Sequence, residues 1–337
     1  MGKKIGTALS RIVANVEKRH IFWSAGSLLA LLIGSLLLYS HLFGPADTYA
    51  EPSQFVVQPG TSLSDVVQNL SVTGMVRSAW ALRIALARES GHIRPGSYSL
   101  GKEMDAWTVA KVLTDPPDMA FVTFPPSIRK EQMGDILADA LGWSDAEMKE
   151  WNTIATDPDP SFVEGVYYPD TYLIPSDQSP EQIAARLRGR FTDAFAPYAA
   201  EAQKEGIPWT KVLTLASIVD RESAKNDKAL VAGILWNRLD NGMLLQADAT
   251  LQYIKGKEGN WWPQPTSADK YLSSAFNTYQ HVGLPPHPID NPSMASIAAV
   301  LNPEQTDCLY YLHDASHEIH CSLTYAGQVQ NVNTYLR

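Results

Sequence analysis

Cysteine is scarce in this 337-residue chain: two residues, Cys308 and Cys321, both near its C-terminal end. Two thiols cannot staple a disulfide scaffold, and they cannot close a structural zinc site built from four sulfur ligands. Neither follows an apolar leader, so lipid attachment at a cysteine is not expected. Positive charge is also thin, with 27 Lys and Arg against 36 Asp and Glu and a net charge of −9. A protein that grips nucleic acid needs Lys and Arg to displace phosphate counterions, so no nucleic-acid partner is expected. Charged residues make up only 19% of the chain and hydrophobic residues 45%, a balance that excludes a disordered chain. No internal repeat, low-complexity tract or phosphate-cradling glycine loop is present, so no nucleotide site is expected.

The strongest feature that is present stands at the N-terminus. Ile21 to Phe43 (IFWSAGSLLALLIGSLLLYSHLF) carries no formal charge, and a bilayer-spanning helix needs about 20 such residues. Lys3, Lys4, Arg11, Lys18 and Arg19 precede it against the single acid Glu17, whereas Asp47 and Glu51 are the first charges after it. The positive-inside rule then puts residues 1–20 in the cytoplasm, 21–43 in the membrane and the remaining body outside. A signal peptide cleaved near Thr48-Tyr49-Ala50 is the alternative, disfavoured because its apolar region is usually shorter, about 7–15 residues.

Residues 44–117 read as a Gly/Pro/Ala linker followed by a small α+β unit. Gln54 to Val57 alternates as a strand does, Thr61 or Ser62 can cap a helix bearing Leu63, Val66, Val67 and Leu70, and a second helix runs through Trp80 to Leu86. Ile93 to Leu100 reads as a strand and Thr108 to Thr114 as a short helix. This unit has no cluster of acid, base and nucleophile. Residues 118–337 open with the strand Ala120 to Phe124 and a helix over Glu131 to Leu141, then pass Asp- and Pro-rich loops at 156–160 to a Tyr-rich turn, Glu164 to Tyr172. That turn packs a corner or stacks a sugar ring, which aromatic faces suit. From Ile183 to about Tyr253 the pattern is mostly helical, and beyond it Pro and Gly punctuation marks long shaped loops. The fold class is therefore α+β.

Trp209 to Ala224 (WTKVLTLASIVDRESA) has the spacing of a core helix. At about 100° per residue, Leu215, Ile218 and Val219 fall within roughly 60° of Glu222, which extends the buried face. Asp220 points about 160° away and is expected to be solvated. A carboxyl at the end of an apolar stripe loses hydration in its charged form, which raises its pKa and suits a general acid near neutrality. A surface Glu paired with Arg221 or Lys225 is the structural alternative.

Ordered blocks then accumulate: EGVYYPDTY at 164–172, ASIVDRES at 216–223, NRLDNGMLLQADATLQY at 237–253, FNTYQHVGLPPHPIDNP at 276–292 and LNPEQTDCLYYL at 301–312. In these the chain resembles the endolytic murein transglycosylases, the MltG/YceG-like family, over nearly everything from Ile21 onward. The resemblance implies an N-terminal transmembrane helix, a small LysM-like subdomain at 44–117 and a larger mixed α+β catalytic domain with long loops at 118–337. It places the catalytic acid on Glu222, the residue the helical spacing also selects. It further implies that Asn237, Gln246, Asp248, Thr250, Asn277, Thr278 and Tyr279 line the substrate cleft, and Tyr168 and Asp170 of the Tyr-rich turn are expected to contact substrate beside them. Loop-capping hydrogen bonds are the alternative role for each polar member of that group. Two departures stand out: Pro125-Pro126-Ser127 replaces the family's Pro-Glu-Gly, and Val329-Gln330 replaces a His-Asn pair in the segment expected to form the last strand.

The implied reaction cleaves the MurNAc–GlcNAc β-1,4 bond within peptidoglycan strands and leaves a 1,6-anhydromuramoyl end, with no metal or cofactor. Its implied role is to end nascent strand growth at the inner membrane, beside penicillin-binding proteins and the elongation machinery. A hydrolytic muramidase would need a second carboxylate, Asp170 or Asp248; a non-catalytic peptidoglycan-binding scaffold is the remaining rival. Outside the cytoplasm the two cysteines favour a Cys308–Cys321 disulfide over a metal site with the nearby histidines, with two unpaired thiols as the alternative.

Overall fold

The computed structural model describes residues 26–47, 51–154, 164–224 and 226–336. The basic segment 1–20, the start of the apolar run, the tripeptide 48–50 and the Asp/Pro-rich loop at 156–160 lie outside the described residues. The chain divides into two compact units, Met1–Ala120 and Phe121–Arg337.

In the first unit, helix α1 (Gly26–Phe43) is long and apolar enough by composition to cross a membrane. Leu28, Leu31, Leu32, Leu36 and Leu37 each leave 60% or more of their surface exposed, so no protein face covers them. The helix ends on aromatic packing, with Phe43 stacked on Trp107 at 5.3 Å and the Trp107 indole N–H donating to the Tyr39 hydroxyl at 2.9 Å. Next come β1 (Ser53–Val57), α2 (Leu63–Val72), α3 (Ala79–Leu86), β2 (Gly96–Leu100) and α4 (Ala106–Thr114). Ser62, Ser78 and Asp105 cap the three helices, each accepting the backbone N–H of the residue three positions on. Strands β1 and β2 pair antiparallel from Ser53 opposite Leu100 to Val57 opposite Gly96. Val67, Leu70, Leu82, Val109 and Leu113 are fully buried between this pair and the helices.

Strand β3 (Met119–Thr123) carries the chain into the second unit, followed by α5 (Lys130–Leu141), α6 (Asp145–Ile154), β4 (Thr171–Pro175) and α7 (Pro180–Lys204). Beyond β3, the Phe124 N–H donates to the Asp170 carbonyl at 2.9 Å, and Val122, Phe124, Leu137, Trp151, Ile174, Ile183 and Leu187 form one core around β4 and α7. A second core surrounds α8 (Trp209–Glu222), with α9 (Lys228–Asp240), α10 (Asp248–Lys255) and α11 (Met294–Leu301) against it. Every residue from Val212 to Val219 on α8 is buried, including Thr214 and Ser217, so the helix is enclosed on all faces. The two hydroxyls donate to carbonyls of their own helix, and Ser217 Oγ also accepts the Ile289 N–H at 3.0 Å. That bond straps the 283–292 loop across the helix. Truncating Leu215 in such an enclosure costs about 2–5 kcal/mol.

Two glycines permit close approaches. A Cβ on Gly233 of α9 would meet the Glu304 carbonyl at 2.3 Å, and Gly165, with φ +87°, leaves room for Pro288. The chain then forms an antiparallel hairpin of β5 (Tyr310–His313) and β6 (Ile319–Ser322), with Tyr311 opposite Cys321. The Cys308 and Cys321 sulfurs are bonded to each other across it. His320 pairs with Asp314 at 2.9 Å. The expected last strand is instead a helix, α12 (Tyr325–Tyr335), and Val329 and Gln330 lie on it. Thr324 starts it by accepting the Gly327 N–H at 3.1 Å, a cap that outweighs the strand preference of the valines.

Candidate active site

Glu222 is the last residue of α8, and the backbone turns extended at Ser223. Its carboxyl is held at both oxygens. Oε1 accepts the Ala249 N–H at 3.0 Å and Oε2 accepts the Tyr311 hydroxyl at 3.0 Å. The first bond has a simple origin. Helix α10 begins at Asp248 with no side-chain cap of its own, which leaves orphan N–H groups in its first turn, and Glu222 takes one of them. Burial is the largest influence on the carboxyl and lifts its pKa above the ordinary Glu range. The Ala249 and Tyr311 bonds pull it down, the Asp248 charge lifts it further and His313 lowers it. Tyr311 itself is pushed well above the usual phenol range by burial and by Glu222, so it stays protonated and able to donate.

Four of the residues singled out in the sequence serve as the frame of this arrangement. Thr278 Oγ1 accepts the Ala247 N–H at 3.0 Å and lies 2.9 Å from Thr250 Oγ1, while the Thr278 carbonyl accepts the Gln246 N–H. These bonds fix the start of α10 and so aim the Ala249 N–H. Buried Asn277 donates to the Lys270 and Leu272 carbonyls and holds the loop before Thr278. For Thr250, Asn277 and Thr278 the polar groups are thus engaged within the protein, as the loop-capping alternative has it. Gln246 is exposed in a left-handed turn with φ 52°.

Asp248 is exposed and accepts the Tyr279 hydroxyl at 2.7 Å, which brings both residues beside Glu222. Asn237 faces elsewhere. Its amide donates to the Thr306 and Cys308 carbonyls, and it lines a cavity of about 460 Å³ with Lys211 and Trp236 that does not include Glu222. Tyr168 lies under the Arg190 guanidinium at 5.2 Å, and Asp170 pairs with the same arginine at 3.5 Å. Among the described contacts none joins Tyr168 or Asp170 to Glu222. The Tyr-rich turn packs a corner through Tyr167, which is buried, while Tyr168 is half-exposed and its carbonyl accepts the Tyr172 hydroxyl.

The structure overturns the expectation that Asp220 is solvated. Its side chain is only 3% exposed and accepts bonds from Lys228 Nζ, Ser296 Oγ and the Ser293 N–H and hydroxyl. Helix α11 packs on that side of α8 and leaves no solvent there. Burial pushes the Asp220 pKa up, and the bonds from Lys228, Ser296 and Ser293 outweigh it, for a net shift below the ordinary Asp range.

Sequence reasoning missed Tyr311 and His313, whose imidazole lies 2.7 Å from Asp227 at the start of α9. Strand alternation supplies a signal that could have found them, since residues two apart on β5 share a face. Arg238 fixes the approach of that strand, donating to the Leu309 carbonyl and the Leu245 carbonyl at 2.6 Å each.

Comparison with known proteins agrees with this architecture. The chain matches the YceG-like family over residues 55–334. It is 28% identical over 320 residues to an endolytic murein transglycosylase of Bacillus subtilis, covering 86% of this chain and 87% of that one. It is 25% identical over 300 residues to a Streptococcus pneumoniae protein of the same name, covering 77% of this chain; it spans 54% of that longer relative. A crystal structure of a YceG-like protein from Listeria monocytogenes superposes with a TM-score of 0.63 at 24% identity, covering 83% of this chain and 98% of the other. The chain belongs to the YceG-like family.

Proposed function

We propose that this chain is an endolytic peptidoglycan lytic transglycosylase with Glu222 as its catalytic acid and base. The observation that carries the reading is the state of that carboxyl: desolvated, raised in pKa, and held at each oxygen by one donor at the end of an enclosed helix. With its pKa lifted above the ordinary Glu range by burial, it can act as the acid that protonates the glycosidic oxygen of a MurNAc–GlcNAc bond. As carboxylate it then takes the proton of the muramoyl C6 hydroxyl, which attacks C1 and closes the 1,6-anhydro ring. The names of the Bacillus and Streptococcus relatives support the same substrate and reaction. Asp248 and Tyr279, exposed or half-buried beside Glu222, are the side chains best placed to touch the glycan.

The apolar, unburied surface of α1 supports a single-pass membrane anchor, with the N-terminus inside and the body on the outer face of the inner membrane. The order β1, α2, α3, β2 with an antiparallel strand pair supports a LysM-like glycan-binding role for the first unit. Together these support a reaction where new strands emerge, with termination of strand growth beside the penicillin-binding proteins of the elongation machinery as its role.

A hydrolytic muramidase is the second reading, favoured by one observation: the Asp248 charge is close enough to Glu222 to shift its pKa. Digestion of purified sacculi followed by mass spectrometry separates the two. Anhydro ends support the transglycosylase, and reducing ends overturn it.

A further inference from the structure

We propose that Tyr311 is the positioning residue that divides labour between the two oxygens of Glu222, keeping Oε1 a permanent acceptor and making Oε2 the oxygen that carries the catalytic proton. The inference rests on the transglycosylase reading and goes beyond it, to how one carboxyl serves two opposite steps.

The partners of the two oxygens differ in kind. Ala249 offers a backbone N–H, which donates and has no lone pair to receive a proton. Oε1 therefore keeps its hydrogen bond only while it stays an acceptor, and protonating it sets two hydrogens against each other. Tyr311 offers a hydroxyl, which both donates and accepts, and its hydrogen rotates to suit. Beside Oε2 it can donate to the carboxylate, and when Oε2 is protonated it can turn its lone pairs to that side. The proton is thus confined to one oxygen by the local chemistry of the partners.

This arrangement matches the needs of the reaction. In the first step Oε2–H gives its proton to the glycosidic oxygen as the C1–O bond breaks. In the second the carboxylate takes the C6 hydroxyl proton as the O6–C1 bond forms, so Glu222 ends as it began and no water is consumed. Between the steps the Tyr311 hydroxyl supports the charge on Oε2, in a site where burial opposes that charge.

The position of Tyr311 is itself enforced from several sides. It is paired with Cys321 across the hairpin, the Cys308–Cys321 bond ties the base of that hairpin, and Gln328 of α12 donates to the Tyr311 carbonyl at 2.9 Å. His313 on the same strand face is tied to Asp227. Among the described residues, the charged or titratable groups that act on Glu222 or Tyr311 include Asp248 and Tyr279 near α10, Arg221 on α8, Arg238 on α9, Asp227 at the start of α9 and His313 on β5.

The test is the pH dependence of anhydro-muropeptide release from sacculi by the full chain in detergent. Glu222 must be protonated in the free enzyme, so activity falls as pH rises through its pKa. Tyr311→Phe removes a bond to the charged form, so the pKa rises and the alkaline limb moves up, by about one pH unit. The same variant lowers kcat by about tenfold, with KM little changed, because the lost bond matters most between the two steps. Fluorinated tyrosine at 311, a stronger donor of nearly the same shape, moves the limb the other way and keeps the test open if the phenylalanine variant folds poorly. Tyr310→Phe, whose ring lies 5.4 Å from Arg238, leaves the limb where it is in the unaltered chain. An alkaline limb unmoved by both Tyr311 changes overturns the proposal while Glu222→Gln remains inactive. An active Glu222→Gln overturns the underlying reading and the proposal with it.

Discussion

Asp220 and Glu222 stand two residues apart on one helix and are driven in opposite directions. Asp220 is held below the ordinary Asp range by Lys228, Ser296 and Ser293, whereas Glu222 is lifted above the ordinary Glu range by burial. Such a split assigns roles: the lowered acid stays ionised and ties α8 to α9 and α11, and the raised one is free to carry a proton.

Replacing Asp220 by Asn tests the first half of that split. It leaves Lys228 without its counter-charge and weakens three further bonds, at a cost of about 3 kcal/mol by analogy with broken buried pairs. Because the folded-state pKa is depressed, the contribution is present above the unfolded Asp pKa and lost as pH falls through the folded value. Urea unfolding at neutral and at acidic pH checks this: the variant and the unaltered chain should converge on the acidic side.

Glu164 gives a stability prediction of opposite sign. Fully buried, it accepts bonds from the Lys130 N–H and the Asn291 amide, and burial lifts its pKa to about 8. A raised carboxyl favours the fold less as pH climbs from the unfolded value toward the folded one. Stability of the unaltered chain should therefore decline from about pH 4.5 to about 8 by more than that of Glu164→Gln. Thermal melts across that range decide it, and equal slopes would contradict the assignment.

Asp248→Asn removes the charge that lifts Glu222, so the alkaline limb of activity should move to lower pH, opposite to the Tyr311→Phe shift. Asp170→Asn, which weakens the exposed Arg190 pair and leaves an amide oxygen able to accept the Thr171 N–H, should leave the rate within about twofold. Loss of all activity in Asp248→Asn, with the fold intact, would favour the hydrolytic reading.

The disulfide spans a short loop that carries Tyr311. Cys308→Ser with Cys321→Ser should cost about 2–4 kcal/mol. Denaturant midpoints with and without reductant test it, since only the unaltered chain should respond to reductant.

The place of Glu222 on the buried face of α8 is legible in the sequence because the spacing that gives it is local. Leu215, Ile218 and Val219 share a face with Glu222 by simple helical spacing, and the structure encloses that face. Asp220 was misplaced for the matching reason: spacing gives a direction along one helix but not what packs there, and α11 arrives from more than 70 residues further on. Tyr311 lies 89 positions from Glu222, a separation no periodicity spans. Thr250, Asn277 and Thr278 were found by resemblance, but only the three-dimensional bonds show that they brace α10. Helix α6 is hidden in the sequence because Asp145, Glu147, Lys149 and Glu150 mask its apolar spacing, although Trp151 anchors it by donating to the Lys130 carbonyl.

The most direct test of the account is the mass of the fragments released from purified sacculi by the full chain and by Glu222→Gln. Gln has nearly the shape of Glu and removes a carboxyl whose charge is disfavoured by desolvation, so the variant should melt no lower than the unaltered chain. It cannot donate the proton, so cleavage should fall by at least about a hundredfold. The unaltered chain should yield muropeptides ending in 1,6-anhydromuramic acid, lighter by one water than hydrolytic products. Reducing ends, or undiminished cleavage by the folded Glu222→Gln chain, would contradict it.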